Sequence, residues 1–186
     1  ELLTLRAVRL LQQTEVIVYD HLVSSAVLDF VSPSAERIYA GKRRNEHTMR
    51  QEQINALLIK LALQGENVVR LKGGDPFIFG RGGEEVEALQ AAGVRFSIIN
   101  GITAGIAAVS SLGVPLTHRE QAHGVVFITG HAKPGSAGTD WRALSTTARQ
   151  ARLTLVIYMG VRGVEHIQRE LLHGLLHRLV QGPEDR

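Results

Sequence analysis

The residues from Val68 to Glu85 have the types and spacing of a ligand loop. They read Val-Val-Arg-Leu-Lys-Gly-Gly-Asp-Pro-Phe-Ile-Phe-Gly-Arg-Gly-Gly-Glu-Glu. An apolar run ends in a glycine pair, an acid and a proline, and a second glycine-rich turn then opens a helical pattern. Glycine has no Cβ, so backbone N–H and C=O groups at such turns can approach a ligand closely. In open α/β sheets ligands gather at the carboxyl ends of the strands. Five glycines between Gly73 and Gly83, interleaved with Asp75 and Arg81, fit that role better than two plain turns. The run does not end in Gly-Lys-Ser/Thr and contains no Gly-x-Gly-x-x-Gly, which disfavours a phosphate loop. A nucleotide-like cofactor gripped elsewhere than at a phosphate is the alternative.

Three further strand ends carry polar candidates. Tyr19-Asp20 ends one apolar run, Gly41-Lys42-Arg43 another, and Gly101-Ile102-Thr103-Ala104-Gly105 follows a third. Asp20 has the chemistry of a general base, and Lys42 that of a general acid or electrostatic partner. Their plainer readings, a turn residue and a surface charge, stay open on local sequence. Thr103 suits a helix N-cap. Met159, in Tyr158-Met159-Gly160, suits core filling as well as ligand contact. His131, after Thr129-Gly130, stands at a strand end and suits a turn cap as well as a place facing a cleft. His173 and His177 have a zinc-compatible spacing of four, but no third ligand accompanies them. No Gly-x-Ser-x-Gly elbow marks a hydrolase.

The elements that must position these residues follow from periodicity. Short runs rich in Val and Ile at 15–19, 37–40, 68–71, 94–99, 125–129 and 153–158 predict strands covered on both faces. Helical patterns lie between them. One opens at Thr48, with Gln51 three residues later as a capping box, aligns Ile54, Leu57, Leu58 and Leu61, and closes at Gly65. A second runs from about Glu84 to Ala92 and stops at Gly93; its start, Glu84-Glu85-Glu87, complements the helix dipole. An apolar helix follows Thr103. The alternation predicts an α/β fold with a largely parallel sheet. Gly113, Pro115 and the polar stretch after them suggest two units, residues 1–116 and 117–186.

Composition sets the outer bounds. The chain has 186 residues, 44% hydrophobic and 21% charged, with mean hydropathy near zero, as in a globular protein. It has no cysteine, which excludes disulfides, thiol nucleophiles and thiolate metal sites and suits a reducing compartment. No apolar run has the length of a membrane span, and no signal-peptide pattern opens the chain, so the cytosol is the expectation. The formal charge of +3 favours encounter with a polyanion without requiring nucleic acid. Aromatic residues make up only 5% of the chain, a poor supply for base stacking.

These strings together resemble the tetrapyrrole (corrin/porphyrin) methylase family, and within it the uroporphyrinogen-III C-methyltransferases. The resemblance is carried by Glu1-Leu-Leu-Thr-Leu-Arg6, Val18-Tyr19-Asp20-His-Leu-Val-Ser24, Gly41-Lys42-Arg43 with His47, and the whole of Val69–Glu85. Asn100-Gly101-Ile102-Thr103-Ala104, Val114-Pro115-Leu116-Thr117-His118-Arg119, Thr129-Gly130-His131 and Tyr158-Met159-Gly160 complete it in order. It implies two α/β domains flanking an active-site cleft, and methyl transfer from S-adenosylmethionine to uroporphyrinogen III, giving precorrin-2. The pathways implied are those to sirohaem, cobalamin or haem d1.

By the same resemblance, Asp20 is the proton acceptor and Lys42 the proton donor. Gly73, Gly74, Asp75, Ile78, Thr103, Ala104 and Met159 contact the cofactor. Arg43, Arg81, Glu84 and His131 meet a substrate bearing eight carboxylates, for which arginine forks are the fitting clamp. A cytoplasmic homodimer with a small-molecule partner, no metal, no membrane and no nucleic acid is expected. The family opens with a strand and a glycine-rich turn before the Glu-Leu-Leu-Thr string, and its second domain continues beyond the point where this tail diverges, near Leu172. The expectation is therefore a chain lacking the first strand, with its second domain incomplete. Two other readings stay open: a fragment that binds cofactor or tetrapyrrole without turnover, and a sister methylase acting on another corrin intermediate or on RNA.

Overall fold

The computed structural model describes residues 2–41, 49–131, 135 and 138–180, with side chains described up to 175. The chain divides into two compact units, Glu1–Ala104 and Gly105–Arg186. The proline-marked stretch at 114–123 thus falls inside the second unit.

In the first unit, β1 (Val16–Tyr19) is central. It pairs in parallel with β2 (Glu36–Tyr39) on one side and β3 (Val68–Arg70) on the other. Alternation along β1 divides its side chains between two apolar layers. Val16 and Val18 pack with Ile54, Leu58 and Leu61 of α3 (Gln51–Leu63). Ile17 packs with Leu11 of α1 (Leu5–Gln13), with Val31 and Ala35, and beside Val27 and Leu28 of α2 (Ser25–Leu28). Both faces of β1 are covered, which is why that strand reads as an unbroken apolar run, whereas β2 carries the exposed Glu36 and Arg37. The α3 stripe is the predicted one, with Gly65 beyond its end at φ +90°. Its start lies at Gln51, not at Thr48, which is outside the described residues. Gln53 rather than Gln51 makes the reciprocal contact, accepting from the Arg50 N–H at 2.7 Å.

Helix α4 (Gly82–Ala91) begins two residues earlier than expected and ends before Gly93. The strand expected at 94–99 does not form. No ladder joins it to another strand among the described residues, and the segment leads without regular structure, partly exposed, into α5 (Ala104–Ser111). Propensity alone does not make a strand without a neighbour to complete its hydrogen bonds.

In the second unit, β4 (Gly124–Thr129) and β5 (Leu153–Tyr158) pair in parallel in the register Gly124↔Leu153. The crossover between them contains α6 (Trp141–Gln150), capped by Asp140, whose carboxylate accepts from the Ala143 N–H at 2.9 Å. A short 3-10 turn leads from β5 to α7 (Val164–Val180). Helices α6 and α7 touch closely: a Cβ on Gly174 would stand 2.6 Å from the Arg142 carbonyl oxygen. Among the described residues no helix is long and apolar enough to cross a membrane.

Candidate active site

Because β1, β2 and β3 are parallel, their carboxyl ends share one edge of the sheet. The order β2-β1-β3 makes β1 and β3 neighbours whose connections leave in opposite directions, and such a switch point is where open α/β sheets bind ligands. Asp20 follows β1 there, and Leu71-Lys72-Gly73-Gly74-Asp75 follows β3. Gly41 comes just after β2 and sits so close to the neighbouring tip that a Cβ would lie 2.9 Å from the His21 nitrogen.

The tips meet backbone to backbone. A Cβ on Gly73 would stand 3.0 Å from the Leu22 carbonyl oxygen, in the loop after β1. A Cβ on Gly101 would overlap the carbonyl oxygen of Gly74. Gly74 itself has φ +74°, and the space where its side chain would be faces Thr103 and Ala104. The Asp75 carboxylate staples this junction. One oxygen accepts from the Phe77 N–H at 2.9 Å, and the other from the Gly101 N–H at 3.2 Å. Asp75 thus holds two loops together, its oxygens accepting from two backbone N–H groups and, at 3.5 Å, from the Asn100 side-chain amide. Thr103 is buried where α5 begins, and Ala104 is exposed beside it.

Asp20 is anchored from two directions. Its Oδ1 accepts from the Leu22 N–H at 3.0 Å, and its Oδ2 pairs with the Arg70 guanidinium at 2.9 Å. Arg70 lies opposite Val18, on the face of the sheet that α3 and α4 cover. Its Nε donates to Glu85 of α4 at 3.1 Å, and Lys72 reaches the same Glu85 oxygen at 3.2 Å. Burial holds the Lys72 ammonium below its ordinary pKa, and the nearby Arg70 charge adds to the effect; Glu85 opposes both. Arg70, Lys72 and Glu85 were not singled out by sequence reasoning. Glu85 looked like a solvated helix-dipole residue, yet it is buried. The available signal was Arg70 at the end of an apolar strand with Lys72 two residues on, which calls for an acid beside them.

Arg81 and Glu84 stand farther along the loop and are more exposed. Arg81 has φ +56°, at the entry to α4, and forks onto Glu84 at 2.7 and 2.6 Å. That pairing raises the Arg81 pKa above its ordinary value. Ile78 is half-buried, its N–H donating to the Asp75 carbonyl within the tight turn. Lys42 and Arg43 lie outside the described residues.

The second unit presents a similar edge. His131 and Met159 follow the paired ends of β4 and β5, where a Cβ on Gly130 would stand 2.6 Å from the Gly160 Cα. Met159 is exposed at φ +55°. The His131 N–H donates to the Thr129 hydroxyl at 3.1 Å. The Tyr158 hydroxyl accepts from the Gly105 N–H in the first turn of α5, at 2.8 Å.

A glycine-lined junction at the switch point, with an anchored carboxylate beside it, defines the class when set against known proteins. The chain matches the tetrapyrrole (corrin/porphyrin) methylases over residues 1–180 and belongs to that family. Siroheme synthase of Nitrosomonas eutropha is 53% identical over 176 residues, which is 94% of this chain and 36% of that protein. Siroheme synthase of Baumannia cicadellinicola is 53% identical over 184 residues, 98% of this chain and 38% of that one. The chain therefore spans little more than a third of the curated relatives it matches. Among solved structures, the uroporphyrin-III C-methyl transferase of Thermus thermophilus complexed with S-adenyl homocysteine is 41% identical, with a TM-score of 0.74 over 93% of this chain and 70% of that one. A cobalt precorrin-4 methyltransferase shares the fold at a TM-score of 0.79 with 23% identity.

Proposed function

We propose that this chain is the methyl-transferring part of a uroporphyrinogen-III C-methyltransferase, converting uroporphyrinogen III to precorrin-2 with S-adenosylmethionine as donor. The observation that carries the reading is the junction of the β1 and β3 tips, where Gly73, Gly74 and Gly101 bring three backbone segments together beside Asp20. Backbone crowding of this kind suits a cofactor recognised through main-chain groups, so the residues present fit the donor. When bound, S-adenosylmethionine supplies an electrophilic methyl group on a sulfonium sulfur.

The chain's own residues then have distinct tasks. Gly73, Gly74, Asp75, Ile78, Thr103, Ala104 and Met159 hold the donor, with Asp75 acting by keeping the two loops in register. Asp20 takes the proton that the substrate ring sheds after its carbon is methylated. Its two anchors fix the carboxylate in one orientation, which serves proton uptake. Lys42 is the proton donor. Arg43, Arg81 and His131 bind substrate carboxylates, and Glu84 holds the Arg81 fork until a carboxylate replaces it. Aligning the reacting carbon with the methyl group supplies most of the acceleration. The same reading makes the protein a cytoplasmic homodimer.

The test is incubation of the purified protein with S-adenosylmethionine and uroporphyrinogen III, followed by mass analysis of the tetrapyrrole. A dimethylated product is expected. Cofactor binding without product would identify an inactive fragment, and methylation of RNA or another corrin in its place would identify a sister enzyme.

A further inference from the structure

We propose that Glu85 is a positioning residue for the reaction, acting on Asp20 through Arg70. The inference rests on the reading of Asp20 as proton acceptor. Glu85 is a buried acid, 5% exposed, on a helix, and it meets the loop after β3 through Lys72, next to Gly73. One of its oxygens accepts from three side chains: Arg70 Nε at 3.1 Å, Lys72 Nζ at 3.2 Å and Gln51 Nε2 at 3.2 Å. With its Nε held, Arg70 sends one terminal nitrogen to the Leu71 carbonyl at 2.8 Å and the other to Asp20 Oδ2 at 2.9 Å. A planar guanidinium bound at Nε and at both ends has a single orientation. Asp20, held on its other oxygen by the Leu22 N–H, inherits that orientation.

Charge makes the role specific. Asp20, Glu85, Arg70 and Lys72 form a largely shielded chain of three ion pairs whose formal charges cancel. Removing the Glu85 charge leaves two cations facing one carboxylate. Lys72, which feels the Asp20 charge, would then compete with Arg70 for Asp20 and draw it from its place. Glu85 also joins the first turn of α3, through Gln51, to the first turn of α4. Gln51 opens α3, directly after the stretch containing Lys42 and Arg43, while Arg81 and Glu84 stand at the start of α4 itself. Buried ion networks contribute little net stability on average, so holding geometry is the function this one fits.

The experiment compares wild type, Glu85→Gln, Asp20→Asn and the double variant by methyl transfer, S-adenosylhomocysteine titration and nitrogen-15 spectra of the arginine side chains. Glu85→Gln is expected to lower kcat by about tenfold to a hundredfold, as small misplacements of reacting groups do, with cofactor affinity unchanged. In the Asp20→Asn background the same change should cost almost nothing, because its effect runs through Asp20. Hydrogen exchange at Arg70 Nε should be slow in wild type and fast in Glu85→Gln. An equal loss in both backgrounds, or slow exchange at Arg70 without the Glu85 charge, overturns the proposal. If Glu85→Gln does not fold, Glu85→Asp takes its place: it keeps the charge but shortens the reach, so Arg70 Nε should exchange faster than in wild type, and an equal kcat loss with and without Asp20→Asn overturns the proposal. A wild type that methylates no tetrapyrrole removes the functional reading, while the Arg70 exchange rates still decide what Glu85 holds.

Discussion

Arg70 and Asp20 face each other across neighbouring parallel strands, guanidinium to carboxylate at 2.9 Å, with both side chains largely shielded from water. A carboxylate so placed at the junction of β1 and β3 is held in orientation by two donors and still reaches the surface of the sheet edge. It closes the turn after β1 through the Leu22 N–H and is at the same time paired with Arg70.

Replacing that base isosterically separates binding from chemistry. Asp20→Asn keeps an acceptor oxygen for the Leu22 N–H but cannot take up a proton. Turnover is expected to fall by about a hundredfold or more, with the affinity for S-adenosylhomocysteine unchanged by calorimetry. Wild-type turnover would remove Asp20 from the mechanism.

The glycine junction leads to a prediction about shape. Gly101→Ala would drive a Cβ into the Gly74 carbonyl, forcing the two loops apart at a cost of about 1–3 kcal/mol. Gly74→Val would place a branched side chain at φ +74°, where strain costs roughly 1–3 kcal/mol, and would aim it at Thr103 and Ala104. Both variants should lose cofactor affinity, with Gly74→Val losing all of it. Calorimetric titration at wild-type affinity would count against a cofactor seat at this junction.

Lys72 imposes a pH dependence whose sign follows from its burial. The folded state disfavours the charged ammonium, so the Lys72 pKa is lower folded than unfolded. Between those two values the unfolded chain binds more protons, and stability rises with pH. In the alkaline range up to the ordinary lysine value, wild type should gain stability relative to Lys72→Met. Urea unfolding across that range tests this, and a difference between the two proteins that stays flat with pH would contradict it.

Much of this site was legible in the residues, for a physical reason. Glycine pairs and an isolated acid at the end of an apolar run mark backbone approach, and the structure puts Asp20, Gly73, Gly74, Asp75 and Thr103 in adjoining loops as that pattern implies. The buried network behind them was not legible. Glu85 occupies the first turn of a helix where acids are ordinarily solvated, and only the three-dimensional neighbourhood of Arg70 shows why it is inside. The run at 94–99 misled in the other direction, since a strand needs a partner as well as β-branched residues. Helix α1 was missed although it is amphipathic and capped by Thr4, whose hydroxyl accepts from the Ala7 N–H.

The most direct measurement is a titration of the nitrogen-15-labelled protein with S-adenosylhomocysteine, followed through its amide resonances. Saturable shifts are expected at Gly73, Gly74, Gly101 and Ala104, with the exposed outer face of α1 silent. Saturable binding that leaves those four amides unmoved while shifting others would contradict a cofactor site at the meeting of these strand ends.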